Sequence, residues 1–285
     1  MELFLNVIDF FFEQCNNITS NVVRKKKLIV FLAFCFVSCT NHQMPSVDFD
    51  SMFENDMMMV EGGWFEMGCL NDDWLDGSYC YTEDCPEHLV YVSDFMIGKY
   101  EVTLEQWKLV MGEYPKYFNE KFLQNKSHDY KQLPVYYVTW YECQRFISEL
   151  NKKSERKYRM PTEAEWEYSA QGGNRTHRFA FSGSDSVSDV AVLGRRPNPI
   201  GTLRPNELGL YDMSGNVMEW CSDWYGDYSS DKQINPTGET DGLFRVVRGG
   251  SFSSDILFCA IKKRNSYNPD YRGEIGLRLV TGLHN

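Results

Sequence analysis

The stretch GLYDMSGNVMEWCSDWYG, residues 209–226, decides how this chain folds. It sets two tryptophans, Trp220 and Trp224, each able to bury a large apolar area, among four oxygen-bearing side chains, Asp212, Asn216, Glu219 and Asp223. Irregular backbone of this composition must be held by something other than ladders of hydrogen bonds. On these residues alone two readings stay open. Closely spaced oxygen ligands suit calcium, and the same side chains serve equally well to hydrogen-bond loop amides.

The surrounding chain is globular in composition. Its 285 residues hold one large domain or two small ones, and a hydrophobic share of 42% with 15% aromatic is ample for a packed core. Abundant aromatic residues with 21 glycines favour a loop-rich fold over a helical bundle. The net charge of −11 argues against a nucleic-acid partner, since phosphate binding needs a clustered basic surface.

The dense basic run Arg24-Lys25-Lys26-Lys27 precedes an apolar stretch, Leu28 to Val37, that is too short to span a bilayer. It reads as a signal peptide closing on Ser38-Cys39, which resembles the lipobox of bacterial lipoproteins. The expected product begins at a lipidated Cys39 and sits in the cell envelope, exported and membrane-anchored. Phe10-Phe11-Phe12 makes a second apolar patch upstream, so residues 1–23 fit poorly before such a leader, and Val22 or Val23 is the expected true start.

From 40 to 56 the composition is that of a polar tether. A single α+β domain is expected over 57–283. MMMVEGGWFEMG (57–68) alternates and bends at Gly62-Gly63, as a strand pair or a bulged strand would. The acidic loop at 71–88 holds Cys80 and Cys85, which could close a small disulfide ring; a zinc knuckle would need a second ligand pair that is missing. Three threonines are each followed three residues later by Glu or Gln: Thr103/Gln106, Thr139/Glu142 and Thr162/Glu165. Each is a capping box and predicts a helix start. Leu104, Trp107 and Met111 share one face of the first helix. Cys143, Phe146, Ile147 and Leu150 lie at helical spacing in the second, so Cys143 reads as core. The third helix runs from about 163 to 171 and ends at Gly172-Gly173. Short strands are expected again at 245–247 and 274–280.

Taken together, EGGWFEMG, IGKYEVT, PVYYVTWYEC, YRMPTEAEWEYSA, NELGLYDMSGNVMEWCSDWYG, RVVRGGSF and IGLRLV stand in the order found in the sulfatase-modifying-factor family, that of the formylglycine-generating enzyme. The chain resembles this family from about Met59 to Val280. The resemblance implies a C-type-lectin-like fold with much irregular structure and structural calcium. Asn216 and Glu219 match the family's side-chain ligands, with the Val217 and Met218 backbone alongside.

The family's named enzyme oxidises a sulfatase cysteine to formylglycine with copper(I) held by two cysteines that follow a Gly-Gly-Ser turn. Soft thiolates suit copper(I). In this chain Cys259 matches the second cysteine, and the first position is Ser254, whose hydroxyl cannot replace a thiolate. Ser251, which matches a serine lining the family's active site, is retained. The resemblance also places Cys221 near Cys259, either as a disulfide or as two core thiols. Copper is therefore not expected. The expected function is a lipid-anchored, non-oxidase binding or scaffold module with a protein or peptide partner, of the kind found among gliding and secretion lipoproteins. The alternative is a formylglycine-generating oxidase acting on exported sulfatases. A relative of this domain that acts as an iron-dependent sulfoxide synthase needs clustered histidines, and His42, His88, His128, His177 and His284 form no cluster in the sequence.

Overall fold

All three capping-box threonines start helices. In the computed structural model, which describes residues 47–70, 82–118 and 128–283, Thr103, Thr139 and Thr162 each accept the amide hydrogen three residues on, and the Gln or Glu there accepts the threonine amide in return. The helices are α1 (Phe49–Glu54), α2 (Leu104–Met111), α3 (Trp140–Lys153), α4 (Glu163–Ala170) and α5 (Val187–Val190). Between them run short strands: β1 (Met57–Val60), β2 (Gly63–Met67), β3 (His88–Val92), β4 (Phe95–Gly98), β5 (Tyr158–Arg159), β6 (Met218–Trp224), β7 (Gln233–Ile234), β8 (Arg245–Arg248), β9 (Asn265–Tyr267), β10 (Ile275–Gly276) and β11 (Val280–Thr281).

The strands make three small sheets. One is antiparallel, in the order β1-β4-β11-β5; a second runs β10-β6-β8-β9; the third is β2-β3-β7. The expected pairing within 57–68 is therefore corrected: β1 pairs with β4 and β2 with β3, so the Gly62-Gly63 bend carries the chain from one sheet to another. Gly62 is needed there, because a Cβ would lie 2.4 Å from the Val92 carbonyl oxygen. The strand expected over 274–280 is likewise split. Ile275 and Gly276 pair in parallel with β6, whereas Val280 and Thr281 pair with β4 and β5. A Cβ on Gly276 would sit 2.2 Å from the Val135 carbonyl oxygen, so the crossing between sheets is as tight as backbone permits.

The polar tether expected at 40–56 is corrected in its second half. Residues 49–54 form α1, whose Phe53 is buried and packs against the rings of Phe146 and Tyr158. Asp50 holds the hydroxyl of Ser154, and Arg156 bonds Glu54. The folded unit accordingly begins at Asp48. The leader, Cys39 and Cys80 lie outside the described residues. Among the described residues no helix is long and apolar enough to cross a membrane.

Helix α3 buries Cys143, Phe146, Ile147 and Leu150, all at the expected spacing, and α2 buries Leu104, Trp107 and Val110, with Met111 only partly buried. The Trp107 and Phe146 rings stack with centroids 4.9 Å apart. Helix α4 is buried nearly all round, because it lies between the sheet of β2 and β3 and the sheet of β6 and β8, and its charged residues Glu163 and Glu167 are inside the protein.

Candidate functional site

Strand β8 ends at Arg248, and the two glycines after it turn the chain with φ of 93° at Gly249 and 68° at Gly250. Only glycine enters this region readily, and a Cβ on Gly250 would lie 2.7 Å from both the Cys259 Sγ and the Phe258 carbonyl oxygen. The turn delivers Ser251 to a cleft of about 470 Å³ lined by Tyr137, Tyr267, Tyr271, Ser253, Ser254 and Glu274, among others. Ser251 Oγ donates to Glu274 Oε2 at 2.6 Å and lies 3.0 Å from Ser254 Oγ, which in turn accepts the Ser251 amide hydrogen at 2.9 Å. Ser253 Oγ donates to the same carboxylate oxygen. Three hydroxyls and one carboxylate thus form the polar floor. They can bind and orient a ligand, and none of them is a soft donor for copper(I).

Cys259 is not part of that floor. Its side chain is buried with Phe181, Val190 and Ala260, beneath the turn rather than in the cleft. Burial pushes its thiol up to about 12, and burial raises the Cys221 thiol well above its usual value too. The disulfide suggested for Cys221 and Cys259 is corrected: both are free thiols, and they belong to different apolar clusters. Cys221 packs among the residues around α4, such as Ala164 and Trp166. The ring suggested for Cys80 and Cys85 involves a residue outside the described set. A disulfide that the spacing did not point to engages Cys69.

The four oxygen-bearing side chains of 209–226 go to different places. Asp223 caps the start of α4, accepting the Glu163 amide hydrogen at 3.1 Å. Burial, followed by the negative charge of Glu163, lifts its carboxyl to about 7. Asn216 donates to Glu101 at 2.7 Å and accepts the Asn198 amide hydrogen at 3.1 Å, in the left-handed region at φ 60°. Glu219 accepts from Arg278 through both oxygens, the shortest bond being 2.6 Å, and from the Trp166 indole at 2.8 Å. Met218 is paired with Ile275 in the sheet, and the Val217 amide hydrogen goes to Glu101. The bland reading of these residues, as anchors for loop amides, therefore holds for Asp223 and for Asn216.

Asp212 differs. Its Oδ2 accepts the Gly201 amide hydrogen at 2.7 Å, while Oδ1 is buried with no hydrogen-bond partner among the described residues. Burial raises its carboxyl to about 6, and burial, then Asp212, then Glu219, raises Glu101 well above the carboxylate range. Glu101, Asp212 and Glu219 share the single guanidinium of Arg278 in this buried patch. No three Asp, Glu, His or Cys side chains form a ready-made metal cage among the described residues. Asp212 Oδ1 is the orphaned buried oxygen there, while the carboxylates of Glu101 and Glu219 are already bonded, so a hard cation, which takes about six to eight oxygens, would need further ligands.

Sequence reasoning missed Glu101, Glu274 and Arg278. Glu101 and Arg278 stand inside the quoted motifs IGKYEVT and IGLRLV, but nothing in their local spacing shows that they meet Asn216 and Glu219. Glu274 directly precedes the latter motif and gives no signal of its own.

With a mixed α+β fold of small sheets around buried ion pairs, and a cleft opening at a Gly-Gly-Ser turn, the chain has the architecture of a C-type-lectin-like module. The family model for the sulfatase-modifying factor enzyme 1-like domain matches residues 46–283, and the chain belongs to that family. Its relatives include the chaperone protein LppX of Paenibacillus barcinonensis, 28% identical over 90% of this chain and 99% of that protein. The formylglycine-generating enzyme of Streptomyces coelicolor is 33% identical over 52% of each chain. The serine/threonine-protein kinase pkn1 of Chlamydia pneumoniae is 32% identical over 74% of this chain, which spans 35% of the kinase's length. Among solved structures, Treponema denticola variable protein 1 superposes with a TM-score of 0.69 at 27% identity, over 80% of this chain and 95% of that one.

The thiol environment has a direct chemical consequence. Alkylation requires thiolate, and lifting a thiol from 9.0 to about 12 lowers its thiolate fraction at pH 8 by roughly a thousandfold. Native protein treated with iodoacetamide at pH 8 should therefore leave Cys221 and Cys259 unlabelled, and unfolded protein should label both without reductant. Rapid native labelling of Cys259, read by peptide mass spectrometry, would contradict the buried placement.

Proposed function

We propose that this chain is a lipid-anchored, non-oxidase binding or scaffold module of the cell envelope, and that its cleft receives part of a protein or peptide partner. The observation that carries the reading is the state of the two positions the family's oxidase uses for copper(I). Ser254 offers a hydroxyl already bonded to Ser251, and Cys259 is a buried thiol beneath the turn. Two soft ligands sharing one open site are what the chemistry needs. Similarity to a protein named as a chaperone along nearly its whole length agrees with a binding role. The lipid anchor rests on the basic run, the short apolar core and the Ser38-Cys39 junction.

Purified protein loaded with copper(I) is expected to leave the cysteine of a sulfatase-type peptide unchanged under air. Formylglycine at turnover stoichiometry, detected by mass spectrometry of the peptide, would replace this reading with that of an oxidase acting on exported sulfatases.

The anchor is tested in a lipoprotein-processing bacterial host. Palmitate should label the wild type and not Cys39→Ala, and equal labelling of the two would remove the anchor from the proposal.

Calcium is the proposed structural ion, its site the segment that the family resemblance assigns, Asn216 and Glu219 with the Val217 and Met218 backbone, and the orphaned Asp212 Oδ1 is the further buried oxygen that could join it. A ligand that binds only the native state raises stability by about 2.7 kcal/mol at a hundred times its Kd. Calcium should raise the Tm of the wild type, chelator should reverse the rise, and Asp212→Asn should abolish the response. A Tm indifferent to both calcium and chelator would exclude the site.

A further inference from the structure

Resting on the reading of the cleft as a binding site, we propose that it takes a cationic side chain, the ammonium of a lysine or the guanidinium of an arginine on a partner polypeptide. The walls are aromatic. Tyr267 and Tyr271 stack with centroids 4.6 Å apart and an interplanar angle of 13°, and Tyr271 is 44% exposed. Tyr137 is held in the left-handed region at φ 57°, where a bulky side chain is uncommon, and its ring stacks on Tyr117 at 4.0 Å. Phe258 lines the cleft beside Asp255. Burial, with the negative charge of Glu274 among the further causes, raises the Tyr137 and Tyr267 phenols, so both rings stay neutral at physiological pH. Neutral phenol rings present electron-rich faces that attract cations.

The floor supplies the counter-charge. Glu274 Oε2 accepts the Ser251 and Ser253 hydroxyls, while Oε1 has no hydrogen-bond partner among the described residues. Asp255 adds a second carboxylate, whose Oδ1 accepts the Leu257 amide hydrogen at 3.2 Å. Among the described residues the one cation lining the cleft is Arg272, and it is spent: both of its terminal nitrogens bond Glu142, one at 2.8 Å. Among the described lining residues, the two carboxylates of this aromatic-walled cleft have no compensating cation of their own. An anionic ligand would meet like charge there, and a purely apolar one would strand Glu274 Oε1. A lysine or arginine side chain satisfies both features at once, laying its stem along the tyrosines and donating to the carboxylate. Cation–aromatic contacts at exposed sites are individually weak, which makes this a selective contact within a larger interface rather than a tight site by itself.

The test is an NMR titration of the purified chain with blocked pentapeptides, Gly-Ser-Xaa-Ser-Gly, in which Xaa is lysine, arginine, alanine or glutamate. The lysine and arginine peptides are expected to bind at least about tenfold more tightly than the alanine peptide, a difference of about 1.4 kcal/mol. Glu274→Gln keeps an acceptor for the two serine hydroxyls and removes the charge, and it should bring the lysine and alanine peptides within about twofold of each other. Tyr271→Leu, at an exposed ring, should weaken the lysine peptide about two- to fivefold. Four results would overturn the cation site: equal binding of lysine and alanine peptides, preference for the glutamate peptide, a lysine preference that survives Glu274→Gln, or no saturable shift in cleft residues with any peptide. Equal binding would leave the binding-module reading intact, and the formylglycine assay decides that reading independently of any peptide titration.

Discussion

The fold turns on one buried ion pair, Glu219 with Arg278. Arg278 is fully buried, bonds Glu219 through two of its nitrogens, and gives its remaining donors to the carbonyls of Gly98 and Tyr211. Glu219 also accepts the indole of Trp166. One pair therefore fixes β4, α4, β6, the loop before β6 and the run into β11. The strands are too short for their ladders to do this. Breaking a buried pair by removing one partner typically costs about 3–5 kcal/mol, because it strands the other charge. Here losing Arg278 would also release two carbonyls, and losing Glu219 an indole.

A second ionic cluster works in the same way beside it on α4, with Arg248 over the ring of Trp166. Glu163 bonds both Arg248 and Arg264, Arg248 reaches Glu167, and Lys263 with the Arg264 amide binds Asp84. Burial alone would lift Glu163, but the guanidinium groups of Arg264 and Arg248 override it and hold its carboxyl below the usual value. The consequence for function is rigidity at the base of the cleft. Arg248 pins the end of β8, so the Gly-Gly-Ser turn that follows has a fixed point of departure, and Ser251 and Ser253 meet Glu274.

The turn and the buried ionic base rest on Arg248, Gly250 and Trp166, none of which lines the cleft, where hydroxyls and a carboxylate form a floor under tyrosine rings. Function in such a module resides in the residues that line the cleft rather than in the fold that presents them.

Much of the local structure was legible in the sequence. The three capping boxes located α2, α3 and α4, since a Thr three residues before Glu or Gln closes its hydrogen bonds within one turn. The apolar spacing of Cys143, Phe146, Ile147 and Leu150 identified the buried face of α3 for the same local reason. What the sequence could not decide was every contact between residues far apart in the chain: that 57–60 and 63–67 enter different sheets, that Phe53 on α1 joins the core, that Cys221 and Cys259 fall in separate clusters, and that Glu274 closes over Ser251. These depend on the choice of strand partners and on which of several carboxylates meets each buried arginine. That choice is made by packing and desolvation in the assembled core, where spacing along the chain carries no information about who the neighbour will be.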